Sequence, residues 1–280
     1  MHLSNLHIER AVRAALEEDL GHGRDITSEC LIPLSEHATA TLTAREDGIL
    51  CGLMLALSAF SLTDIEFDMT VEKQDGDELK AGDVIAEITG PARSLMTAER
   101  VALNFLTHLS GIATLTHRFV SEIEGTGAEI CDTRKTIPGL RMFQKYAVSI
   151  GGGSNHRFGL DDAILIKDNH IAIAGGISQS LDQAYMLAGH TVKIEIEVDT
   201  LEQLQEVLDN GKADIVMLDN MSPETLKKGV EMVNGAMVIE ASGGVNLDTV
   251  RAIGETGVHY ISVGALTHSA PSLDIGLDIR

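Results

Sequence analysis

The sequence predicts an α/β protein in two parts: a small β-rich domain, then a barrel of alternating parallel strands and helices. Three observations carry this. From about residue 126 onward, short apolar runs of strand length alternate with amphipathic helical stretches, the pattern of a parallel sheet. From about 37 to 90 the text instead alternates apolar and polar residues and is broken by turn dipeptides, as half-buried strands are. Finally, polar residues stand at the carboxyl end of strand after strand: Arg134, Lys167, Glu197, Asp219, Ser242-Gly243-Gly244 and Gly264. In a closed barrel those ends converge on one pocket, whereas an open sheet would gather them at a single crevice.

In chain order, residues 7–19 carry apolar residues at helical spacing and end in Asp19-Leu20-Gly21, a helix stop. HATATLTAREDGILCG reads as a strand closing on a turn, and TVEKQDGDELKAGDVIAEITGP as short strands broken at Asp75-Gly76 and Ala81-Gly82. Residues 94–121 read as one long helix, or two joined near Ser110-Gly111. The barrel strands are AEICDTR, AVSIGGG, AILIKDNH, TVKIEIEVD, DIVMLDN, MVIEASGG and ISVGALT. Between them lie helices such as LEQLQEVLDNG and SPETLKKGVEMVNG, the latter opened by Ser222-Pro223 in cap and first-turn positions. The last segment, SAPSLDIGLDIR, is too short for another unit and packs back on one of the two domains.

Composition narrows the function. A net charge of −21 over 280 residues argues against general nucleic-acid binding, which needs a broad basic surface. No stretch reaches the roughly 18–20 apolar residues of a membrane helix, and the acidic, helical start resembles neither a signal nor a transit peptide. Cys30, Cys51 and Cys131 are widely spaced without a CxxC pair, which points to a reducing, cytoplasmic setting without disulfides or zinc. In so acidic a chain, a cluster of cations needs a reason.

Five constellations supply the chemistry. Arg134-Lys135, flanked by Thr133 and Thr136, offers a planar fork and a point charge to a ligand with several anionic oxygens. Gly151-Gly152-Gly153-Ser154-Asn155-His156-Arg157 lets the backbone approach a ligand and adds donors. The apolar run Leu165-Ile166 delivers Lys167 to a strand end, and a lysine there is rarely left without an anion. Lys193, Glu195 and Glu197 share one strand face, pointing into a barrel, with Asp219 at a neighbouring strand end. Lys193 answers one glutamate in the plainer reading, while Glu197 and Asp219 suit a water- and phosphate-bound Mg²⁺. Last, Ser242-Gly243-Gly244 and Ser262-Val263-Gly264-Ala265 expose backbone N–H groups fit for a phosphate. Each motif alone is also an ordinary turn or surface pair, and their convergence on one barrel face gives them force.

Together with DTRKTIPGLR, KYAVSIGGGSNHRFGLDDAILIKDNHI, KIEIEVD, MLDNM, EASGGV and SVGALTHSAPSLDIGLDI, the chain resembles the quinolinate phosphoribosyltransferases from about residue 18 onward. Gln144 is a departure, since the family often has Glu there. The resemblance implies an N-terminal open α/β sandwich over residues 1–110, joined by the tail 269–280, and a barrel-like catalytic domain over 111–268. It implies transfer of a phosphoribosyl group from phosphoribosyl pyrophosphate (PRPP) to quinolinate with decarboxylation, aided by Mg²⁺, in a homodimer that shares its active sites. Carried over by motif, Arg134, His156, Arg157 and Lys167 hold the quinolinate carboxylates with Thr133 beside them, and Lys135 serves both substrates. Arg100 comes from the neighbouring subunit. Glu197 and Asp219 hold the ribose and Mg²⁺, while Ser242, Gly243, Gly244 and Gly264, flanked by Val263 and Ala265, bind the 5′-phosphate.

The chemistry needs no covalent nucleophile, so Cys131 reads as buried packing. Glu197 and Asp219 favour the positive charge developing on the ribose. Lys135, Lys167 or a water protonates C2 after CO₂ leaves, and the residues do not choose among them. The rivals are an enzyme for a monocarboxylate such as nicotinate, a non-catalytic phosphate-binding barrel, and an acidic interaction scaffold. The dense cations favour a dicarboxylate, and carboxylates in the pocket disfavour a simple anion binder.

Overall fold

A computed structural model describes residues 2–280, which form two compact units. The first comprises residues 2–117, Met142–Gly152 and Ser269–Arg280, and the second Arg118–Arg141 and Gly153–His268.

The first unit begins with α1 (Asn5–Leu20), which buries Ile8, Val12 and Leu16 at a four-residue spacing and packs against α3 (Leu53–Thr63). Between them run the short helix α2 (Ile26–Leu31), capped by the Asp25 carboxylate on the Ser28 N–H, and the strands β1 (His37–Ala44) and β2 (Gly48–Ile49). After α3 come β3 (Asp68–Val71), β4 (Glu78–Leu79) and β5 (Val84–Pro91). The helix expected over 94–121 is one piece, α4 (Ala92–Glu122). It runs through Ser110-Gly111 unbroken because both residues are fitted to neighbours. The Ser110 hydroxyl accepts from the Cys51 N–H and donates to the Cys51 carbonyl. A Cβ on Gly111 would lie 2.0 Å from the Pro271 carbonyl oxygen, so the tail passes the helix with no room for a side chain.

In the second unit, β6 (Glu129–Cys131) opens a parallel sheet. The chain then supplies α5 (Arg141–Ile150) to the first unit, where AVSIGGG was expected as a strand. Helical spacing wins because Phe143, Gln144, Ala147 and Val148 are buried on one side, with Lys145 buried beside them, a stripe only a helix can form. Gln144 lies with its amide nitrogen 3.0 Å from the His108 Nε2. Burial lowers the proton affinity of His108, so its neutral ring is suited to accept from an amide.

The remaining elements alternate as the sequence predicts: β7 (Ile164–Ile166), α6 (Asp168–Ala174), α7 (Ile177–Leu187), β8 (Ile194–Val198), α8 (Leu201–Asn210), β9 (Ile215–Asp219), α9 (Pro223–Val233), β10 (Val238–Ser242), α10 (Val250–Gly254), β11 (Tyr260–Ser262) and α11 (Ala265–His268). Ser222 caps α9 through the Thr225 N–H with Pro223 in the first turn. The tail strand β12 (Ile275–Ile279) pairs antiparallel with β1 in the sheet β12-β1-β5-β3 of the first unit. The barrel-like sheet runs β6-β11-β10-β9-β8-β7, all parallel. Its edges β6 and β7 share no ladder among the described residues, and a single bridge from Cys131 to Ser154 marks the seam. Buried Val, Ile and Leu along β8 to β10 form its core, as two-sided parallel strands require. No helix among the described residues is long and apolar enough to cross a membrane.

Gly111→Ala is expected to destabilise the protein by about 1–3 kcal/mol, the usual cost of overpacking, and to lower the thermal unfolding midpoint by several degrees. Calorimetry against the unsubstituted protein checks it. An unchanged midpoint would show that the tail moves aside without cost.

Candidate active site

The carboxyl ends of the parallel strands enclose a cavity of about 420 Å³. Its walls are built strand by strand. Just past β6, Asp132 is fully buried. It accepts from the His156 backbone N–H at 2.9 Å and the Asn155 side chain at 2.7 Å. One carboxylate thus ties the loop before β7 to the end of β6, bringing the first two sequence motifs together. Thr133, Arg134 and Lys135 follow, with the Thr133 hydroxyl accepting the Lys135 N–H at 3.0 Å. The Lys135 carbonyl accepts from the Thr267 hydroxyl at 2.8 Å. Gly264 faces the Lys135 stem, where a Cβ would come within 3.0 Å.

The cations are only partly answered by the protein. Arg157 donates through Nη1 to the Ala163 carbonyl at 3.1 Å, yet Nε of Arg157 and Nε of Arg134 are both buried without a protein partner. Burial first, and then the neighbouring Arg134 charge, lower the proton affinity of the Arg157 guanidinium. Two such forks side by side are stabilised by an anion between them. Lys167 already has one: its Nζ lies 2.8 Å from Glu197 Oε2.

Glu197 is the last residue but one of β8, Asp219 ends β9 and Ser242 ends β10, and all three line the cavity. Asp219 and Ser242 are partners in the strand register. Gly243 has φ +94°, and a Cβ there would meet Asn220 Oδ1 at 2.1 Å. Gly244, at φ +63°, has open space beside it, so its backbone is accessible.

Of the residues predicted for the site, Thr133, Arg134, Lys135, His156, Arg157, Lys167, Glu197, Asp219 and Ser242 line one cavity. Gly243, Gly244, Val263, Gly264 and Ala265 continue from the ends of β10 and β11. Arg100 belongs to the first unit, exposed on α4. Lys193 departs from expectation. It precedes β8, is exposed, and pairs with Asp214 at 2.6 Å. Strand parity failed there because the ladder begins only at Ile194.

Ser262, which opens the second predicted phosphate loop, also lines the cavity, and so does Glu240, for which no role was predicted. Parity would have found Glu240, two residues before Ser242 on β10 and so on the same face. Below the cations, His156 Nε2 lies 3.0 Å from Glu195 Oε2 and 3.6 Å from Glu240 Oε2. Its Nδ1 accepts the Arg157 N–H at 2.7 Å, so the proton that meets the carboxylates sits on Nε2. Burial, and next the Glu195 charge, push Glu240 up to about 7.

The model of the quinolinate phosphoribosyl transferase N-terminal domain matches residues 25–110, and that of its C-terminal domain residues 112–278. The chain belongs to the quinolinate phosphoribosyl transferase family. It is 45% identical over 277 residues to a Bacillus subtilis (strain 168) protein named probable nicotinate-nucleotide pyrophosphorylase (carboxylating), covering 99% of this chain and 95% of that one. A Mycobacterium leprae (strain TN) nicotinate-nucleotide pyrophosphorylase is 42% identical over 275 residues, covering 96% and 95%. The solved structure of the Francisella tularensis nicotinate-nucleotide pyrophosphorylase superposes with a TM-score of 0.94 at 41% identity, covering 100% of this chain and 98% of that one.

The raised Glu240 carboxyl has a consequence for stability. The folded state holds its proton up to about pH 7, while an unfolded glutamate releases it near the ordinary value of about 4.3. The folded state therefore binds more protons in that window, and stability falls as pH rises through it. Glu240→Gln removes this loss. The thermal midpoint of the variant minus that of the parent is expected to increase from pH 5 to pH 8, and a flat difference would contradict the assignment.

Proposed function

We infer that this enzyme transfers the phosphoribosyl group of PRPP to the nitrogen of quinolinate, with loss of the 2-carboxylate as CO₂, giving nicotinate mononucleotide for NAD synthesis. The observation that carries the substrate reading is the pair of arginines, Arg134 and Arg157, that line one cavity and whose Nε atoms have no protein partner. A dicarboxylate answers both. A monocarboxylate would leave one of the two half-buried guanidinium groups without an anion, which is costly.

Arg134 and Arg157 hold the two carboxylates, Lys167 borders them, and His156 completes the wall with its ring fixed by Glu195 and the Arg157 backbone. Lys135, lying over Gly264, reaches toward both substrates. Ser242, Gly243 and Gly244, with Val263, Gly264 and Ala265, offer hydroxyl and backbone N–H groups to the 5′-phosphate. Glu197 and Asp219 face the ribose, where fixed negative charge favours an oxocarbenium-like state as the bond to pyrophosphate breaks.

The same two carboxylates fit a hard divalent ion. They stand at adjacent strand ends on the cavity wall, and the single cation paired there, Lys167, answers only Glu197. Mg²⁺, when bound with PRPP, neutralises the pyrophosphate. The protein's own part is to hold nitrogen and C1 in line, so that attack is effectively intramolecular. Arg100 would act from a second copy of the chain, which makes the working unit a homodimer, and the enzyme is expected in the cytoplasm.

Purified protein with PRPP, Mg²⁺ and quinolinate is expected to give mononucleotide and CO₂ in equal amounts, with little product from nicotinate. Nicotinate turnover without CO₂ would overturn the dicarboxylate reading. Arg134→Ala and Arg157→Ala should each raise the KM for quinolinate about 10–100-fold, the loss of one charged hydrogen bond, while leaving that for PRPP nearer its original value. Mixing inactive Arg100→Ala and Lys167→Ala subunits should restore part of the activity through hybrid sites. Hybrids without any activity would count against sites shared between copies.

A further inference from the structure

Loss of CO₂ leaves an electron pair on C2 of the pyridine ring, and a proton must reach it. Lys167 is engaged by Glu197 at 2.8 Å. The structure offers another source beneath the cavity. Glu195 and Glu240 are both more than nine-tenths buried, and both approach the same His156 Nε2. One oxygen of each, Glu195 Oε1 and Glu240 Oε1, has no protein partner. Burial beside the Glu195 charge raises the Glu240 carboxyl, so Glu240 is the one that holds a proton.

Glu240 also lies between two cavities. It lines the site cavity together with Ser262, whose hydroxyl donates to the Ala241 carbonyl at 3.4 Å and lies close enough to lower the proton affinity of the Glu240 carboxyl. It also lines a second cavity of about 420 Å³ on the far side of His156, bordered by Glu195, Tyr260, Asp162 and Lys193. A proton spent on one side can be replaced from the other without solvent entering the substrate site.

We propose that Glu240 is the proton store for C2, feeding the site cavity through the Ser262 hydroxyl and refilled through the second cavity. The inference rests on the decarboxylating reading given above. In the step, the bond from C2 to the carboxylate carbon breaks, CO₂ departs, and the electron pair stays on C2. Ser262 gives its hydroxyl proton to C2 and takes the proton of Glu240, leaving Glu240 ionised until water reprotonates it. The charges around Glu240 are Glu195 from β8, His156 and Arg157 from the loop before β7, Asp132 from the end of β6, and Tyr260 from its own neighbour β11. Glu195 and Asp132 favour its protonated form, and His156 and the Ser262 hydroxyl oppose it.

Single-turnover measurements on the holoenzyme with quinolinate, PRPP and Mg²⁺ test this. Pyrophosphate release reads the first step, and mononucleotide and CO₂ read the second. In Glu240→Gln the second step is expected to slow about 100-fold, a usual cost of losing a general acid, with pyrophosphate release slowed far less. The rate of the second step in the parent should fall as pH rises through about 7. Glu195→Gln removes a charge that keeps Glu240 protonated, so the fall should move to lower pH, a displacement that loosened packing does not produce. Equal slowing of both steps in Glu240→Gln, or a fall that stays in place in Glu195→Gln, would overturn the proposal. Absence of pyrophosphate release from the parent with quinolinate would instead overturn the substrate reading.

Discussion

The barrel-like unit is governed by charge balance. Arg134, Arg157 and Lys167 converge on one cavity, and such a group folds without ligand only if carboxylates stand near it. Asp132, Glu195, Glu197 and Glu240 supply them, each from the end or inner face of a parallel strand. Asp132 has the widest effect, because its two oxygens hold the His156 N–H and the Asn155 amide. That tie adds to the Cys131–Ser154 bridge in fixing the loop that carries Arg157 across the seam between β6 and β7. The seam explains the need: a closed ladder would position the loop by backbone bonds alone.

The strand period of two sorts the acidic residues by depth. Glu195 and Glu197 share a face of β8, as do Glu240 and Ser242 on β10. In each pair the later residue stands at the strand end and meets the cavity, and the earlier one lies below it, nearly dry. Depth then separates their tasks. Glu197, at the rim, has a lysine 2.8 Å away and stays available to a sugar or a metal ion. Glu240, below, is pushed up to about 7 by burial and by Glu195 and so can hold a proton at neutral pH.

Much of this was legible in the sequence because barrel chemistry is written at strand ends. The apolar runs ending in Lys167, Glu197, Asp219 and Ser242 each became a strand with that residue at or just past its end, and the helix caps followed from Ser222-Pro223 and similar signals. What the text hid were long-range effects. AVSIGGG has strand-like composition, but Phe143, Gln144, Ala147 and Val148 bury a helical stripe in the other unit. That outcome depends on a partner surface more than thirty residues away, including His108. Lys193 has the right parity for an inward residue, yet it falls one position before the ladder starts and turns to Asp214.

Glu240 was hidden for a different reason. Read as text, Glu240-Ala241-Ser242-Gly243-Gly244 draws the eye to its glycines, which expose backbone to a phosphate. The glutamate gains meaning only when β8 and β10 are set on either side of β9, so that Glu195 and Glu240 reach one imidazole from two strands. His156 cannot satisfy both carboxylates, since Nδ1 already accepts the Arg157 N–H and Nε2 carries a single proton. With burial and the Glu195 charge, the shortage favours a proton held on Glu240. A site that must hold a dianion above and deliver a proton to it later gains from storing that proton on a buried carboxyl, where burial and the Glu195 charge outweigh the opposing His156.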